Sequence, residues 1–556
     1  MASTAQKRLH QLTNIIHPTT SVASFRTKLP PTATVDYTPL NPVNFLLRSA
    51  QIYPNKTAII YGQKRYSYVD FALRVKNFAT ALVNHYKIKP GERVAILCPN
   101  TPPILEAHFA IPAARAVITA INYRLNAEEV NYIIHHSEAK LFIIDAEYKH
   151  LIPANLNIPV IFITEEAKDP YEEMLRLGES GRWQDLELVA DEREVFGFSY
   201  TSGSTGKPKG VRHAYRGAYL SALSLSVHAQ MSAETVYMWT LPMFHCNGWQ
   251  FPWAVTAVGG THIMLRKIDY DQIWHHLLYD GVTQYNGAPT LQTEIVNHPA
   301  AKPLHRKVTV HTGGSSPSSV LLKELEGLNI HARHIYGLTE TFGPTAGTYD
   351  QIQINHLPDE ERYVMMARQG YADIVADEMC VMDAETGKEV PMDGKTIGEV
   401  TIRGNIVMKD YYKDPEATKK AFRNGVFWSG DLAVRHPDGA VEIKDRSKDI
   451  VISGGENISS IEIESVILHL EDVLEVAVVA GPDEKWGEHP VAFVVPKHGR
   501  TVTAGKVISF CKSQLAGFKM PKTVHIVSEL PKTSTGKTQK FVLRERLWNA
   551  KEKKVN

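Results

Sequence analysis

Cysteine is scarce in this sequence. The 556 residues contain four cysteines, which lack the C-x2-C spacing of zinc sites and are too few to crosslink a chain of this length. A disulfide-stabilised scaffold and a cysteine-based zinc site are therefore excluded. We predict that Cys98, Cys246, Cys380 and Cys511 are reduced intracellular thiols.

An excess of charge of either sign is also missing. Lysine and arginine together number 61 and aspartate and glutamate 60, which gives a formal net charge of +1. This balance gives no electrostatic reason to expect a nucleic acid or an anionic membrane as partner. No run of about eighteen apolar residues occurs, so no transmembrane segment is predicted.

Acidic residues are absent from the first 35 positions. The segment carries Lys7, Arg8, Arg26 and Lys28 and is rich in serine and threonine. This composition is typical either of a mitochondrial transit peptide or of an ordinary disordered leader. The last three residues, Lys-Val-Asn, are not the usual peroxisomal tripeptide. We therefore expect a mitochondrial or cytoplasmic location and a leader that catalysis does not require.

The length of the chain exceeds what a single hydrophobic core supports and suggests two to four domains. Between about residues 41 and 193, helix-like stretches such as 68–86 alternate with short apolar runs such as 94–98. The alternation continues further along, where 212–226 has the pattern of a helix and 308–311 that of a strand. These patterns predict an α/β fold in which parallel sheets are covered by helices.

The pattern changes at the charged turn around residues 444–449. A compact series follows, with a strand predicted over 449–453 and a helix over 460–470. These elements predict a small α+β domain of roughly a hundred residues, which is an ordinary domain size. The predicted organisation is a leader over residues 1–35, a large domain over 36–445 and a small C-terminal domain over 446–556, with a hinge at 445–449.

The segment Ser199–Gly210, SYTSGSTGKPKG, combines hydroxyls, glycines and two lysines directly after an apolar run. It does not fit the P-loop motif, because two residues rather than four separate Gly203 from Gly206 and because Pro208 follows Lys207. The segment is therefore either a donor-rich loop that wraps a polyphosphate or a solvated surface loop.

Three further motifs follow in order: YGLTET at 336–341, WSGD at 428–431 and LPKTSTGK at 530–537. Together with the loop, and over about residues 41–546, they resemble the adenylate-forming superfamily of acyl-CoA synthetases, peptide-synthetase adenylation domains and luciferases. The resemblance implies a large N-terminal domain of β-sheets covered by helices and a small mobile α+β C-terminal domain. It also implies ATP, Mg²⁺ and coenzyme A as ligands.

The resemblance assigns most of the motif residues to the nucleotide. Joining a carboxylate to AMP brings two anions together, so the reaction needs lysines and a metal ion. Glu340 would hold Mg²⁺, and the two oxygens of Asp431 suit the two ribose hydroxyls. Thr339 would contact the α-phosphate as a catalytic residue. The full predicted ATP and AMP set is Thr201, Ser202, Gly203, Ser204, Thr205, Gly206, Lys207, Gly314, Ser315, Ser316, Tyr336, Gly337, Thr339, Asp431, Arg446 and Lys537.

Lys537 is the catalytic residue that the resemblance singles out. In the family this lysine bridges the carboxylate and the α-phosphate during adenylation, whereas an isolated lysine in such a loop would simply be solvated. Because Lys537 lies on the small domain, that domain must close, and Lys448 would be the pivot to a second orientation. There Gly454 and Gly455 would line a tunnel for the thiol of coenzyme A, since glycines let a ligand approach the backbone closely.

The segment Phe244–Trp249, FHCNGW, resembles the part of the family that lines the acyl tunnel. His245 would lie beside the substrate carboxylate, and Trp249 is either a cap on the tunnel or a packed core indole. With Gly314 and Gly337 these residues form the predicted acyl pocket. Gly337 stands where acetate-specific relatives carry a tryptophan, so it leaves room for longer acids, each added methylene contributing about 0.8 kcal/mol on burial.

The resemblance therefore predicts an acid–thiol ligase, an AMP-forming acyl-CoA synthetase. It would form an acyl-adenylate and then a thioester from coenzyme A and a short-chain, medium-chain or aryl carboxylic acid. Two alternatives stay open: a stand-alone enzyme that loads a separate carrier protein, and a catalytically silent binding member. The sequence does not indicate the oligomeric state.

Overall fold

The computed structural model describes residues 25–201, 208–348, 354–446, 448–453, 456–483, 486–533 and 537–552. The chain forms two compact units, which are described separately. Unit 1 consists of residues up to Ile268 with Thr339–Gly343 and Asn405–Pro415, and unit 2 of Asp269–Leu338, Pro344–Gly404 and residues from Glu416 onward. None of the described helices is long and apolar enough to cross a membrane.

The strands of the described residues are numbered β1 to β26 in chain order. They are Thr57–Tyr61, Lys64–Ser67, Arg93–Leu97, Val117–Ala120, Ala139–Asp145, Val160–Ile163, Val195–Thr201, Lys209–Ala214, Val236–Trp239, Thr261–Met264, Gln284–Gly287, Val308–Thr312, Ile330–Leu338, Gly343–Gly347, Tyr371–Ala372, Ala376–Met382, Gly398–Gly404, Asp410–Tyr411, Phe422–Arg423, Val426–Arg435, Val441–Arg446, Val451–Ser453, Glu456–Ile458, Val473–Asp483, Gly487–Pro496 and Thr523–Ile526.

The α-helices of the same residues are numbered α1 to α15. They are Val43–Ile52, Tyr68–Asn84, Pro102–Ala113, Ala127–Ser137, Pro170–Leu177, Tyr215–His228, Phe251–Ala257, Tyr270–Tyr279, Pro289–Val296, Ser319–Gly327, Asp359–Met366, Pro415–Ala421, Ser460–Ile467, Ala504–Gln514 and Lys540–Glu552.

Unit 1 contains a seven-stranded sheet in the order β18-β8-β7-β4-β3-β5-β6. The strands from β7 to β6 run parallel, and β8 and β18 add antiparallel pairs at one edge. A second group of strands in unit 1 has the order β9-β10-β1-β2, with parallel pairing from β9 to β1. Strands β3, β4 and β5 are buried over nearly their whole length, as expected when helices cover both faces.

Helix α2 shows how the sequence starts and buries such a covering helix. The Ser67 hydroxyl accepts from the Asp70 amide at 3.1 Å, and the Asp70 carboxylate accepts from the Ser67 amide at 2.9 Å. This capping box satisfies two amides that the first helical turn leaves without partners. Phe71, Val75 and Phe78 follow at helical spacing, and all three are fully buried. The helix predicted over residues 68–86 is confirmed.

Strands β7 and β8 form a hairpin whose connection is the predicted phosphate loop. The register pairs Tyr200 with Gly210 and Thr201 with Lys209. The prediction of a helix from residue 212 is wrong at its start, because Arg212–Ala214 belong to β8 and α6 begins at Tyr215. Burial alternates along Val211, Arg212 and His213, which is the period of a strand rather than of a helix.

Unit 2 contains strands in the order β15-β14-β13-β12-β11, in which β11, β12 and β13 are parallel. A separate sheet joins β16, β17, β20, β19 and β21 through antiparallel pairs only. The alternating helix and strand pattern had predicted parallel sheets, so this antiparallel sheet was not anticipated. The predicted α/β class, with sheets covered by helices, is confirmed.

The C-terminal part of unit 2 is an α+β arrangement. Its strands have the order β23-β22-β25-β24, with β26 parallel to β25. Val451 on β22, Ile463 on α13, Val478 on β24 and Val507 on α14 are buried in one hydrophobic cluster. The predicted strand at 449–453 and helix at 460–470 are present with shorter bounds, while the domain boundary at 445/446 stays a prediction.

Residues 25–32, which belong to the predicted leader, pack against the rest of unit 1. Phe25 is 4% exposed, and its carbonyl accepts a hydrogen bond from the Gln51 amide group at 2.8 Å. Lys28 donates its backbone amide to Leu186 at 2.9 Å and pairs with Glu187 at 2.8 Å. These contacts place residues 25–32 in the folded part of unit 1, while the leader boundary at residue 35 stays a prediction.

We expect deletion of residues 1–35 to lower the melting temperature relative to deletion of residues 1–24. The longer deletion removes the buried Phe25 ring, worth about 1.5–3 kcal/mol, and the contacts of Lys28. Thermal unfolding of the two truncated proteins measures the difference. Equal melting temperatures would show that residues 25–35 contribute nothing to stability.

Candidate active site

The predicted metal residue, Glu340, lies in unit 1 in a short 3-10 turn, Thr339–Thr341. Its carbonyl oxygen accepts from the Met408 amide at 2.7 Å, and its Oε1 accepts from the Tyr411 hydroxyl at 2.8 Å. Burial, followed by the nearby Glu340 charge, raises the pKa of Tyr411, so Tyr411 remains a donor at neutral pH. The Glu340 carboxylate is therefore held in one orientation.

Phe342, which follows this turn, packs on a buried histidine. Its ring lies 4.1 Å from that of His213, with 17° between the ring planes. Among the described residues neither ring nitrogen of His213 has a hydrogen-bond partner, and burial lowers the pKa of this histidine to about 3. His213 is therefore an uncharged packing surface for the segment that carries Thr339 and Glu340.

The predicted acyl residues His245 and Trp249 belong to a turn with left-handed backbone dihedral angles. His245 directly precedes the left-handed positions, and Trp249 is one of them. Residues 246–250 are five consecutive positions with φ between 40° and 74°. For a residue other than glycine this conformation costs roughly 1–2 kcal/mol. His245 is half-buried and Trp249 is 8% exposed. Because this backbone conformation is strained, contacts with neighbouring segments are needed to maintain it.

Two of those contacts reach the other predicted motifs of unit 1. The Cys246 thiol lies 4.0 Å from the Thr339 carbonyl oxygen. The Ser199 hydroxyl donates to Asn247 Oδ1 at 3.3 Å, which links the turn to β7, the strand that leads into the phosphate loop. The structure therefore brings the acyl segment, the Thr339 turn and the start of the loop together.

The phosphate loop itself is only partly described. Thr201 is half-buried at the end of β7. The opposite strand carries Lys209, whose ammonium lies 4.9 Å from the centre of the Tyr411 ring. The other predicted loop residues lie outside the described residues; they are Ser202, Gly203, Ser204, Thr205, Gly206 and Lys207.

In unit 2 the predicted ribose residue, Asp431, is 3% exposed and has two strong partners. Its Oδ2 accepts from the Tyr336 hydroxyl at 2.8 Å, and its Oδ1 pairs with Arg446 Nε at 2.9 Å. Burial and the Asp431 charge raise the pKa of Tyr336 well above its ordinary value. The three predicted nucleotide residues thus form one connected group, and Gly337 follows Tyr336 on β13.

The predicted adenine segment Gly314–Ser316 also lies in unit 2, after β12. Gly314 has φ of 85° and open space where a Cβ would stand, and Ser315 is exposed. The Ser316 hydroxyl accepts from the Gln369 Nε2 at 2.8 Å, and the Gln369 Oε1 accepts from the Ile443 backbone amide at 2.6 Å. Gln369 therefore links this turn to β21, the strand that carries Arg446.

Lys537 lies in the C-terminal part of unit 2. Its backbone amide donates to the Thr533 hydroxyl at 3.1 Å. Displacement of water by the surrounding protein, followed by the nearby Arg446 charge, lowers the pKa of Lys537 to about 8, while Asp431 acts in the opposite direction. Lys537 is nevertheless exposed, so hydration of its ammonium group opposes this lowering of the pKa. Lys537 is therefore within electrostatic range of the predicted ribose residues.

The predicted hinge contains a buried carboxylate next to Arg446. Asp445 Oδ2 accepts from both the amide and the hydroxyl of Ser460, at 2.8 and 2.7 Å. Lys448 is exposed, and its carbonyl oxygen accepts from Arg544 at 2.8 Å. The predicted coenzyme A residues Gly454 and Gly455 lie outside the described residues.

Sequence reasoning missed Tyr411 and His213, which support the Thr339–Thr341 turn. Tyr411 lies 71 residues after Glu340 in sequence and reaches it because β18 pairs with β8. His213 reaches Phe342 from β8 itself. Neither residue belongs to a recognisable motif, so only strand pairing could have revealed these contacts.

Comparisons with known proteins give a consistent result. Residues 46–412 match the family described as AMP-binding enzyme, and residues 462–537 match its C-terminal domain. Acetate–CoA ligase CCL3 of Humulus lupulus is 41% identical over 548 residues, covering 92% of this chain and 96% of that protein. The benzoate–CoA ligase of Arabidopsis thaliana is 40% identical over 541 residues, covering 91% and 93%.

Solved structures agree on the fold. The crystal structure of ATP-bound MatB from Rhodopseudomonas palustris has a TM-score of 0.80 with 27% identity, covering 91% of this chain and 99% of that one. The anthranilate CoA ligase AuaEII, in complex with anthranoyl-AMP, has a TM-score of 0.82 with 23% identity, covering 92% and 99%.

The expected mitochondrial or cytoplasmic location is wrong on this comparison. Five relatives at 38–41% identity, the benzoate–CoA ligase among them, carry the word peroxisomal in their names. The expectation rested on the basic, acid-poor composition of residues 1–35. Part of that segment, residues 25–32, instead packs against the rest of unit 1.

We expect Tyr336→Phe to raise the KM for ATP about tenfold, an energy of about 1.4 kcal/mol. The substitution removes one of the two donors that orient the Asp431 carboxylate, and losing a donor to a buried charge also costs about 1–3 kcal/mol of stability. Steady-state kinetics at varied ATP measures the first effect and thermal unfolding the second.

The matched control is Tyr285→Phe in the same unit. Tyr285 is fully buried and donates to the neutral Gln292 side chain at 2.9 Å. The Tyr285→Phe substitution should lower the free energy of unfolding without changing the KM for ATP. Equal KM values for the wild type and Tyr336→Phe would contradict a nucleotide role for the Tyr336–Asp431 pair.

Proposed function

Because this chain belongs to the AMP-binding enzyme family, we propose that it is an AMP-forming carboxylic acid:CoA ligase with the residue roles given below. The observation that carries the proposal is a group of three relatives, 40–41% identical over more than 90% of the chain, that are named as CoA ligases for acetate, 2-methylpropanoate and benzoate. The protein is an enzyme of the acid–thiol ligase class, and its substrates are a small carboxylic acid, ATP and coenzyme A.

In the first half-reaction a carboxylate oxygen attacks the α-phosphorus of ATP and pyrophosphate leaves. Asp431 would accept the ribose hydroxyls, and its existing bonds to Tyr336 and Arg446 support this role because they hold the carboxylate still. Thr339 would donate to the α-phosphate, and Lys537 would neutralise charge that grows on it. A preorganised cation of this kind typically accelerates the step about 10²- to 10³-fold.

Glu340 fits the Mg²⁺ that the family implies. It supplies a carboxylate oxygen, the kind of ligand Mg²⁺ prefers, and the Tyr411 hydroxyl holds that carboxylate in place at 2.8 Å. Mg²⁺ held there would offset the phosphate charge of ATP.

In the second half-reaction the thiolate of coenzyme A attacks the acyl carbon and AMP leaves. We propose that Lys448 is the pivot that withdraws Lys537 for this step, and that Gly454 and Gly455 line the path of the thiol. The exposed position of Lys448 supports the pivot role, because an exposed residue can change its dihedral angles without unpacking a core.

For the acid we propose short-chain, medium-chain and aryl carboxylates, bound by the segment of His245 and Trp249 with Gly314 and Gly337. Relatives named for 2-methylpropanoate, butyrate and benzoate support this range. Acetate also occurs in two names, so the preference for longer acids rests on Gly337 alone. A carrier-protein acceptor and a silent binding role are the alternatives, which the relatives do not favour.

The experiment that tests the function is pyrophosphate release from MgATP with a panel of acids from acetate to decanoate, benzoate and cinnamate, with and without coenzyme A. We expect AMP, pyrophosphate and the acyl-CoA thioester as products, and more thioester from an acid longer than acetate. ADP as the direct product, or no turnover with any acid, would contradict the proposal.

Separate half-reactions distinguish the roles of Lys537 and Lys448. Lys537→Ala should slow adenylation about 10²- to 10³-fold and should leave thioester formation from supplied acyl-adenylate near the wild-type rate. Lys448→Pro should show the reverse, because proline fixes φ near −65° and prevents the change of orientation. Rapid-quench measurement of each half-reaction records both effects. Equal loss of both half-reactions in both variants would contradict the two assignments.

A further inference from the structure

Gln250 joins two left-handed segments of unit 1. Its side chain is fully buried, and its Nε2 donates to the Phe342 carbonyl oxygen at 2.7 Å and, more weakly, to the Cys246 carbonyl oxygen at 3.4 Å. Phe342 has φ of 56° and Gly343 has φ of 101°. One amide group therefore connects residues 246–250 with the pair Phe342–Gly343.

The two segments also pack closely against each other. A Cβ at Gly343 would lie 3.4 Å from the Cα of Trp249 and 3.7 Å from Gln250 Nε2. Backbone held in the left-handed region persists only where its surroundings impose it. If Gln250 could not donate, the Phe342 carbonyl would lose its closest side-chain partner in a buried place. The conformation of both segments therefore depends on this side chain.

Each segment carries one part of the candidate site. His245 precedes the first segment, and Trp249 lies within it. The second segment, Phe342–Gly343, follows the turn Thr339–Thr341. The Phe342 amide donates back to the Thr339 carbonyl oxygen at 3.1 Å. A shift of Phe342 would therefore move the turn that carries the proposed α-phosphate and Mg²⁺ residues.

We propose that Gln250 is a positioning residue for adenylation, which holds the acid-binding segment and the Thr339–Glu340 turn in one fixed register. The inference rests on the proposed function, since the register matters only if the acid and the α-phosphate react there. The physical reason is geometric: a misplacement of about 1 Å between reacting groups can lower a rate about 10²-fold.

The first test is Gln250→Met, which keeps the length of the side chain and removes the donor. We expect kcat for adenylation to fall about 10- to 100-fold, with the KM values for ATP and the acid changed less than about threefold. The best acid of the panel serves as substrate, and pyrophosphate release is measured. The full-length protein is used throughout.

Tyr68→Phe is the matched control in the same unit. Tyr68 is fully buried and donates to the Gly260 carbonyl oxygen at 2.7 Å, so its loss also leaves a buried backbone carbonyl without that donor. It should lower the melting temperature as Gln250→Met does while leaving kcat unchanged. This comparison separates positioning from general stability.

Gln250→Glu adds a readout that a packing role would not change. At high pH the carboxylate would face two carbonyl oxygens, whereas the protonated form can donate to Phe342 as the amide does. Burial lowers the pKa of His213 to about 3 and raises that of Cys246, and the other titratable groups nearby, Glu340 and His245, are present in both variants. We therefore expect the ratio of kcat in Gln250→Glu to kcat in Gln250→Met to rise as pH falls.

Three results would each overturn the inference. The first is a Gln250→Met enzyme with the kcat of Tyr68→Phe. The second is a loss seen entirely in KM. The third, which still applies if Gln250→Met does not fold, is a Gln250→Glu enzyme whose activity relative to the wild type is independent of pH. A wild-type protein that activates no acid would instead reject the proposed function.

Discussion

The candidate site depends on a buried carboxylate that is paired with an arginine and a tyrosine. Asp431 is 3% exposed, and a buried carboxylate is tolerated only when its charge and its lone pairs are satisfied. Tyr336 and Arg446 supply that compensation from β13 and from β21. The strand that ends in the YGLTET motif is thereby joined to the antiparallel sheet that ends at the predicted hinge. The Gly314–Ser316 turn is connected to the same β21 through Gln369.

Unit 1 uses uncharged groups for a comparable purpose. The Thr339–Thr341 turn contacts four neighbours: Met408 and Tyr411 on one side, His213 through Phe342 and Gln250 on the other. Each contact involves one donor or one ring, so none of them is strong alone. Together they allow two left-handed segments to persist in a packed interior. Strain of this kind is commonly retained where it fixes functional groups.

Much of the fold and the identity of the motifs could be predicted from the sequence. Elements with a clear pattern, such as α2 and the buried strand β3, came out with small errors at their ends. The start of α6 was wrong because β8 pairs with β7 and with β18, and pairing partners are not visible locally. The antiparallel sheet from β16 to β21 was missed for the same reason.

The residues of the candidate site also divide into those that a sequence motif identifies and those that only the fold reveals. Asp431, Arg446 and Tyr336 belong to ordered motifs, so the sequence identified them, and the structure shows how they contact each other. Tyr411 acts through the Glu340 carboxylate, whereas His213 and Gln250 act through the ring and the carbonyl of Phe342, which follows the YGLTET motif. Such support leaves no pattern in the sequence, because many residue types can supply a donor or a packing surface. Only coordinates reveal it.

Asp445, the residue before Arg446, makes hydrogen bonds that the proposed domain rotation would have to break. Successive side chains on a strand point to opposite faces, so Arg446 reaches Asp431 while Asp445 reaches Ser460 at the start of α13. Asp445 is 2% exposed, and Lys540 also donates to the Ser460 hydroxyl, at 2.5 Å. The proposed pivot at Lys448 lies between Asp445 and Ser460 in the sequence, so a rotation there would separate the two side chains. The hydrogen bonds between Asp445 and Ser460 would therefore stabilise the described orientation. In each turnover the Asp445 carboxylate would have to become hydrated before the C-terminal region could rotate.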